Sequence, residues 1–162
     1  MNFGSTSGSS CGSTPVPERH GTPERAEGIT SIVLVGHCTP DAGMLKSAVG
    51  RVLPGRSHER VNDERELVRH RLPSSLWLVN RALDGAFPSF ADGVELIERE
   101  RALREQAPSQ RGPVLMLISN YEDAQASAMA RGAVRGFGKL ALYAPTTTSA
   151  LRDAAGLDAS ER

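Results

Sequence analysis

The sequence predicts a single five-stranded, doubly wound α/β domain, on three observations. Short apolar runs bounded by turn residues recur along the chain, at "SIVLVG" (31–36), "LWLV" (76–79) and "PVLMLIS" (113–119). Segments of helical spacing or helical propensity lie between them. Strand-like and helix-like segments alternate five times, a pattern that folds as right-handed βαβ crossovers with helices on both faces of a parallel sheet.

Each element has its own signal. "SIVLV" is β-branched and apolar throughout, as a strand buried on both faces requires. In "TPDAGMLKSAVGRVL" Thr39 is a candidate cap, Pro40 suits the first helical position and Asp41 complements the helix dipole. Met44, Leu45, Ala48, Val49, Val52 and Leu53 then recur at helical spacing, and "PGR" closes the helix. "SHERV" (57–61) is a weak strand candidate. Asp63 with Glu66 three residues on has the form of a capping box before Leu67 and Val68. After "LWLV", "NRALDGAFPSFADG" has the glycine and proline punctuation of a loop. "VELIERERALREQ" (94–106) is strongly helical by propensity. "NYEDAQASAMARG" predicts a helix capped by Asn120 and ended by Gly132. "VRGFGKLAL" reads as a fifth strand weakened by glycines, and "TTTSALRDAAG" as a last capped helix.

Length and composition narrow the function classes. The chain has 162 residues, with 19 basic and 19 acidic side chains and no formal net charge. Neutrality leaves no electrostatic footprint for nucleic acid or a membrane surface. The mixed charges of "ERERALRE", including Arg99, Arg101 and Arg104, read as a solvated helix face. No apolar run approaches a membrane span. The two cysteines, Cys11 and Cys38, form no CxxC pair, which points to a reducing cytoplasm. Residues 1–28 are rich in Gly, Ser, Thr and Pro and lack an apolar signal core, so they read as a disordered tail. The folded domain is expected over 29–156, with 157–162 a short second tail.

The order and spacing of these pieces resemble the receiver domain of bacterial response regulators. "DERELVRHRLPSSLWLV" resembles a receiver's second helix running into its third strand. "ADGVELIERER" is similar to the opening of the third helix. "GPVLMLIS…AMARGAVRGFGKL" resembles the fourth strand, fourth helix and fifth strand. The resemblance implies a flavodoxin-like strand order, 2-1-3-4-5. It also implies a site of three carboxylates and two helpers. Carried over by position, the acidic metal-binding pair falls within Gly36, His37 and Cys38, and the phospho-acceptor falls on Asn80. Ser119 and Lys139 match the retained hydroxyl and lysine, and Phe137 the aromatic switch. Lys139 is followed by Leu140 where the family usually has proline.

On this reading all three acidic positions are lost. A magnesium ion needs anionic oxygen ligands in near-octahedral array, and an amide cannot take a phosphoryl group. No metal and no cofactor are therefore expected. His37 and Cys38 alone do not make a metal site, since a structural zinc takes four ligands, and His20, His58 and His70 are scattered. Asn80 also has a plain reading, as a turn residue bonding the backbone that follows it. If Lys139 enters the old pocket its ammonium needs a partner. The loop after Asn80 is longer than the family's usual one, and the expectation is that it folds over the pocket and supplies Asp84 or Asp92.

The resulting expectation is a stand-alone, atypical receiver that is not an enzyme. It would signal by protein–protein contact, independent of aspartate phosphorylation, through the face built on the fourth helix, fifth strand and last helix. Leu140, Leu142 and Tyr143 are the candidate anchors there. The partner would be a signalling protein, a histidine kinase or another regulator being examples, and a homodimer stays open. The competing reading is a small-molecule-binding protein or enzyme that uses the crevice at the strand carboxyl ends. A third is a receiver modified on hydroxyls of the amino-terminal tail.

Overall fold

A computed structural model describes residues 28–157. The expected tails lie outside the described residues except at their inner ends, Gly28 and Leu157. Leu157 is partly buried and packs against the core.

The elements are β1 (Ser31–Val35), α1 (Thr39–Val52), β2 (Ser57–Val61), a 3-10 helix (Glu64–His70) and β3 (Ser75–Asn80), then α2 (Gly93–Gln106), β4 (Val114–Ile118), α3 (Glu122–Ala130), β5 (Val134–Phe137), a 3-10 turn (Lys139–Ala141) and α4 (Pro145–Ala154). The five strands form one parallel sheet in the order β2-β1-β3-β4-β5. β3 lies at its centre, with all six residues buried.

Strand side chains alternate between the faces and so divide the core into two layers. Ile32, Leu34, Leu76, Leu78, Met116 and Ile118 face α1 and α4, meeting Leu45, Val49 and Leu151. Val33, Val35, Trp77, Val79, Leu115 and Leu117 face α2, α3 and the first 3-10 helix, meeting Leu96, Ile97, Ala128 and Leu67. Each fully buried side chain of this size contributes about 1.5–3 kcal/mol. On the second face Trp77 donates its indole N–H to the carbonyl of His70 at 3.0 Å. Near it Arg71 grips the buried Glu100 carboxylate in a bidentate ion pair, at 2.7 and 2.9 Å.

Several local expectations are corrected. The element after β2 is a seven-residue 3-10 helix rather than an α-helix. Asp63 caps it by accepting from the N–H of Arg65, while Glu66 turns out to Arg69 rather than back to complete a box. Thr39 is the first helical residue of α1, not its cap, and its hydroxyl accepts from Arg60. Asn120 does not cap α3. Its Oδ1 accepts from the N–H of Leu140, and Tyr121 holds the cap position. The last helix starts at Pro145, with no side-chain cap. The fifth strand stops at Phe137, and the next residue, Gly138, lies so close to Asn120 that a Cβ there would meet its Oδ1 at 2.0 Å. The chain turns there instead of extending through "KLAL". Among the described residues no helix is long and apolar enough to cross a membrane.

Candidate functional site

Parallel strands end at one edge of the sheet, and that edge gathers the singled-out residues. Gly36, His37 and Cys38 follow β1, Asn80 ends β3, Ser119 follows β4 and Lys139 follows β5. Asn80 is buried, and its Nδ2 donates to the carbonyl of Gly36 at 2.8 Å and to that of Ala82 at 2.6 Å. One amide group thus ties β1 to β3 and shapes the turn that follows. An ionised carboxylate has no proton to donate and would face both oxygens with negative charge.

Gly36 is left-handed at φ +68°, and a Cβ there would lie 2.7 Å from Leu83 Cδ2. Leu83 belongs to the long loop after β3, which is strapped over the ends of β1 and β2. The N–H of Asp84 donates to Gly36 O, Asn62 Nδ2 donates to Asp84 Oδ2 and to His37 O, and the N–H of Ala86 donates to Asn62 O. Further along, Ser89 donates twice to Glu64. An aliphatic side chain and a backbone strap therefore occupy the ground beside the first strand's end.

The loop does fold over this edge, but it does not supply the partner of Lys139. Asp84 is held by Asn62, and Asp92 caps α2 by accepting from the N–H of Glu95 at 2.9 Å. Lys139 instead pairs with Asp41, from the first turn of α1, and both side chains are partly buried. The hydrogen bond from Lys139 holds the Asp41 carboxyl below its ordinary range, with help from Cys38. Asp41 reads in the sequence only as a complement to the helix dipole. It is the first carboxylate after β1, and the first turn of α1 brings it to the 3-10 turn after β5, a crossing visible only once that turn is placed.

His37 is fully buried. Its Nε2 donates to the carbonyl of Leu78 at 2.9 Å, which fixes the Nε2–H tautomer and leaves Nδ1 with no hydrogen-bond partner. Burial lowers its pKa from 6.5 to about 4, and the Lys139 charge pushes the same way. The bond to Leu78 O and the Asp41 charge oppose this and do not prevail. The ring is neutral at pH 7.

Ser119 is buried, and its hydroxyl accepts from the N–H of Tyr121 at 3.2 Å. Beside it Arg81 stacks over the Tyr121 ring, 4.9 Å from its centroid. Asn80, Arg81, Ser119, Asn120, Tyr121 and Lys139 line a cavity of about 160 Å³. Phe137 is buried in the layer under α1 and α4. Among the expected anchors Leu140 is 91% exposed and Tyr143 62%, with Arg51 over the Tyr143 ring. Leu142 is not an anchor: it is buried in the core, because the 3-10 turn rotates it inward. No cluster of three or more His, Cys, Asp or Glu able to hold a metal ion occurs among the described residues.

Compared by sequence, the chain matches no family model and no curated protein. Compared by structure, it is similar to the signal receiver domain of a DNA-binding response regulator from Colwellia psychrerythraea 34H. The two share 16% identity and a TM-score of 0.56, over 76% of this chain and 95% of that one. It is similar to a protein described as a response regulator from Chloroflexus aurantiacus J-10-fl, at 17% identity and TM-score 0.57, over 78% and 98% of the two chains. A response regulator from Colwellia psychrerythraea aligns at 18% identity and TM-score 0.54, over 80% and 99%. At these identities the likeness is one of fold, and the fold of residues 28–157 is that of response-regulator receiver domains.

Proposed function

We propose that the chain is an atypical receiver that acts in signal transduction through protein–protein contact and is not switched by aspartate phosphorylation. The observation that carries this reading is the double donation from Asn80 to Gly36 O and Ala82 O. The residue at the acceptor position is spent as a structural donor, and its chemistry admits neither a phosphoryl group nor a magnesium ion. Two further features support it. Leu83 covers Gly36, where a metal ligand would have to stand, and Lys139 is already neutralised by Asp41. Output then falls to exposed groups, of which Leu140 and Tyr143 are the prominent apolar ones beside β5 and α4. The enzyme or ligand-binding alternative uses the crevice at the strand ends, where the cavity of about 160 Å³ falls short of the range of about 300–1,000 Å³ for small-molecule pockets. Larger hollows of about 560 and 460 Å³ are not lined by Asn80, Ser119 or Lys139.

The test is an amide NMR spectrum of the full chain at neutral pH, before and after magnesium and beryllofluoride, with a phosphorylatable receiver run beside it. The expected result is no shift at Asn80, Ser119, Lys139 or Leu140 while the control responds. Shifts at those four amides would overturn the reading.

A further inference from the structure

We propose that His37 and the Lys139–Asp41 ion pair form a proton-coupled latch, in which a proton on His37 draws Asp41 off Lys139 and loosens the end of the turn that presents Leu140. The inference rests on the reading of this chain as a receiver that signals through its exposed turn, and it supplies that site with a regulatory input.

The geometry starts from the ring. His37 Nε2 is committed to Leu78 O, so an added proton goes to Nδ1, which is buried and has no partner. A buried N–H without an acceptor is costly, so the new donor has to find one. The charged and titratable groups facing this region come from every packed element. Cys38 and Asp41 come from the start of α1, Arg60 from β2, Lys139 from β5's end and Asp84 from the loop strap. Arg60 and Asn62 donate to the backbone carbonyl of His37 and accept nothing from it. Asp84 is taken by Asn62. Asp41 is the carboxylate whose charge already favours protonated His37, and its own partners are Lys139 and Cys38.

Lys139 opens the 3-10 turn Lys139–Ala141, and its neighbour Leu140 is the most exposed large apolar residue among those described. Three polar contacts hold that turn from outside: the ion pair to Asp41, the bond from Leu140 N–H to Asn120 Oδ1 at 3.1 Å, and the bond from the buried Thr147 hydroxyl to Ala141 O at 2.6 Å. Losing the first loosens the Lys139–Leu140 end of the turn, while Thr147 and the buried Leu142 still hold its far end. The coupling works in both directions, as any linkage of two equilibria does. The Lys139 charge disfavours a proton on His37, so a partner that grips Leu140 and pulls Lys139 away raises the proton affinity of the ring. In the acid range where the ring titrates, partner binding therefore takes up protons.

The experiment is NMR of the labelled full chain, following the His37 ring nitrogens and the Leu140 amide from neutral to acid pH. At neutral pH the nitrogen shifts should show the Nε2–H tautomer. On acidification the ring and the Leu140 amide should share one midpoint, near 4. His37→Gln should abolish that titration of the Leu140 amide. Lys139→Met should move the ring's midpoint upward, visible already at pH 5 as a larger protonated fraction than in the wild type. A His37 midpoint at its ordinary value, a Leu140 amide that ignores the ring, or no upward move in Lys139→Met would overturn the latch. Magnesium and beryllofluoride at neutral pH separate the two readings. If the latch fails while these reagents still have no effect, the atypical-receiver reading stands alone. If they shift the site, that reading falls and the latch falls with it.

Discussion

Replacing Asn80 by aspartate restores a receiver's acceptor on paper, and the structure says that it should damage the protein. Nδ2 donates to Gly36 O at 2.8 Å and to Ala82 O at 2.6 Å from a buried position. Asn80→Asp removes both donations, each worth about 1 kcal/mol. It also sets an ionised carboxylate against two carbonyl oxygens, a further loss of about 1–3 kcal/mol. The expected destabilisation at pH 7 is about 3–5 kcal/mol on these figures. Urea unfolding read by the fluorescence of Trp77, the only tryptophan and fully buried, measures it directly. The pH dependence gives a second check. Burial against two carbonyls raises the new carboxyl's pKa above that of the unfolded chain. Its protonated form is then favoured on folding, so stability is retained at low pH and lost as pH rises through the folded pKa. The gap to the wild type should shrink on going from pH 7 to pH 5. Equal or greater stability at pH 7 would refute the reasoning, because Lys139 would then have left Asp41 to pair with the new carboxylate.

Three other perturbations follow from the same structure. The folded pKa of His37 is about 4 against 6.5 in the unfolded chain, so its contribution is fully present above pH 6.5 and is lost as pH falls toward 4. At 1.36 kcal/mol per pH unit the loss reaches about 3 kcal/mol. His37→Gln keeps a donor for Leu78 O and should flatten that slope in urea titrations between pH 7 and pH 4.5; an unchanged slope would assign it to other groups. Gly36→Ala forces a Cβ into the left-handed region, at about 1–2 kcal/mol, and onto Leu83 Cδ2. Combining it with Leu83→Ala removes the Cδ2 contact at 2.7 Å but not those to Cα and Cβ at 3.1 and 3.3 Å, so the pair should fall short of additivity in a double-mutant cycle without full rescue. Arg71→Met strands the Glu100 carboxylate, which is 3% exposed, and should lower stability by about 3–5 kcal/mol. A loss below about 1 kcal/mol would show that water or the neighbouring Arg104 compensates the Glu100 charge.

The candidate site was legible in part, and the boundary falls where contacts stop being local. Asn80 stands out because a buried apolar strand ends in an amide, and Ser119 and Lys139 because they follow the next two strands. Asp84 and Asp92 were sensible partners for Lys139 by proximity in the loop, yet each is taken by a nearer group: Asn62 for one and the start of α2 for the other. The local signal at Asp41, a helix's first turn, was correct and incomplete, since the same carboxylate also reaches Lys139 in the turn after β5. Leu142 looked like Leu140, because an apolar residue's side cannot be read from a short irregular turn with no period.

By itself the sequence determined the α/β alternation, the five strands and the two-sided burial of β1, β3 and β4. These rest on local propensity and on apolar runs of strand length, which every chain position carries with it. The tertiary structure decided that the second helical segment is a 3-10 helix, that β5 ends at Phe137, that Leu83 lies on Gly36, and that Lys139 belongs to Asp41. Each of these follows from the close approach of residues distant in sequence, through hydrogen bonds, sterics and charge that exist only once the strands lie side by side.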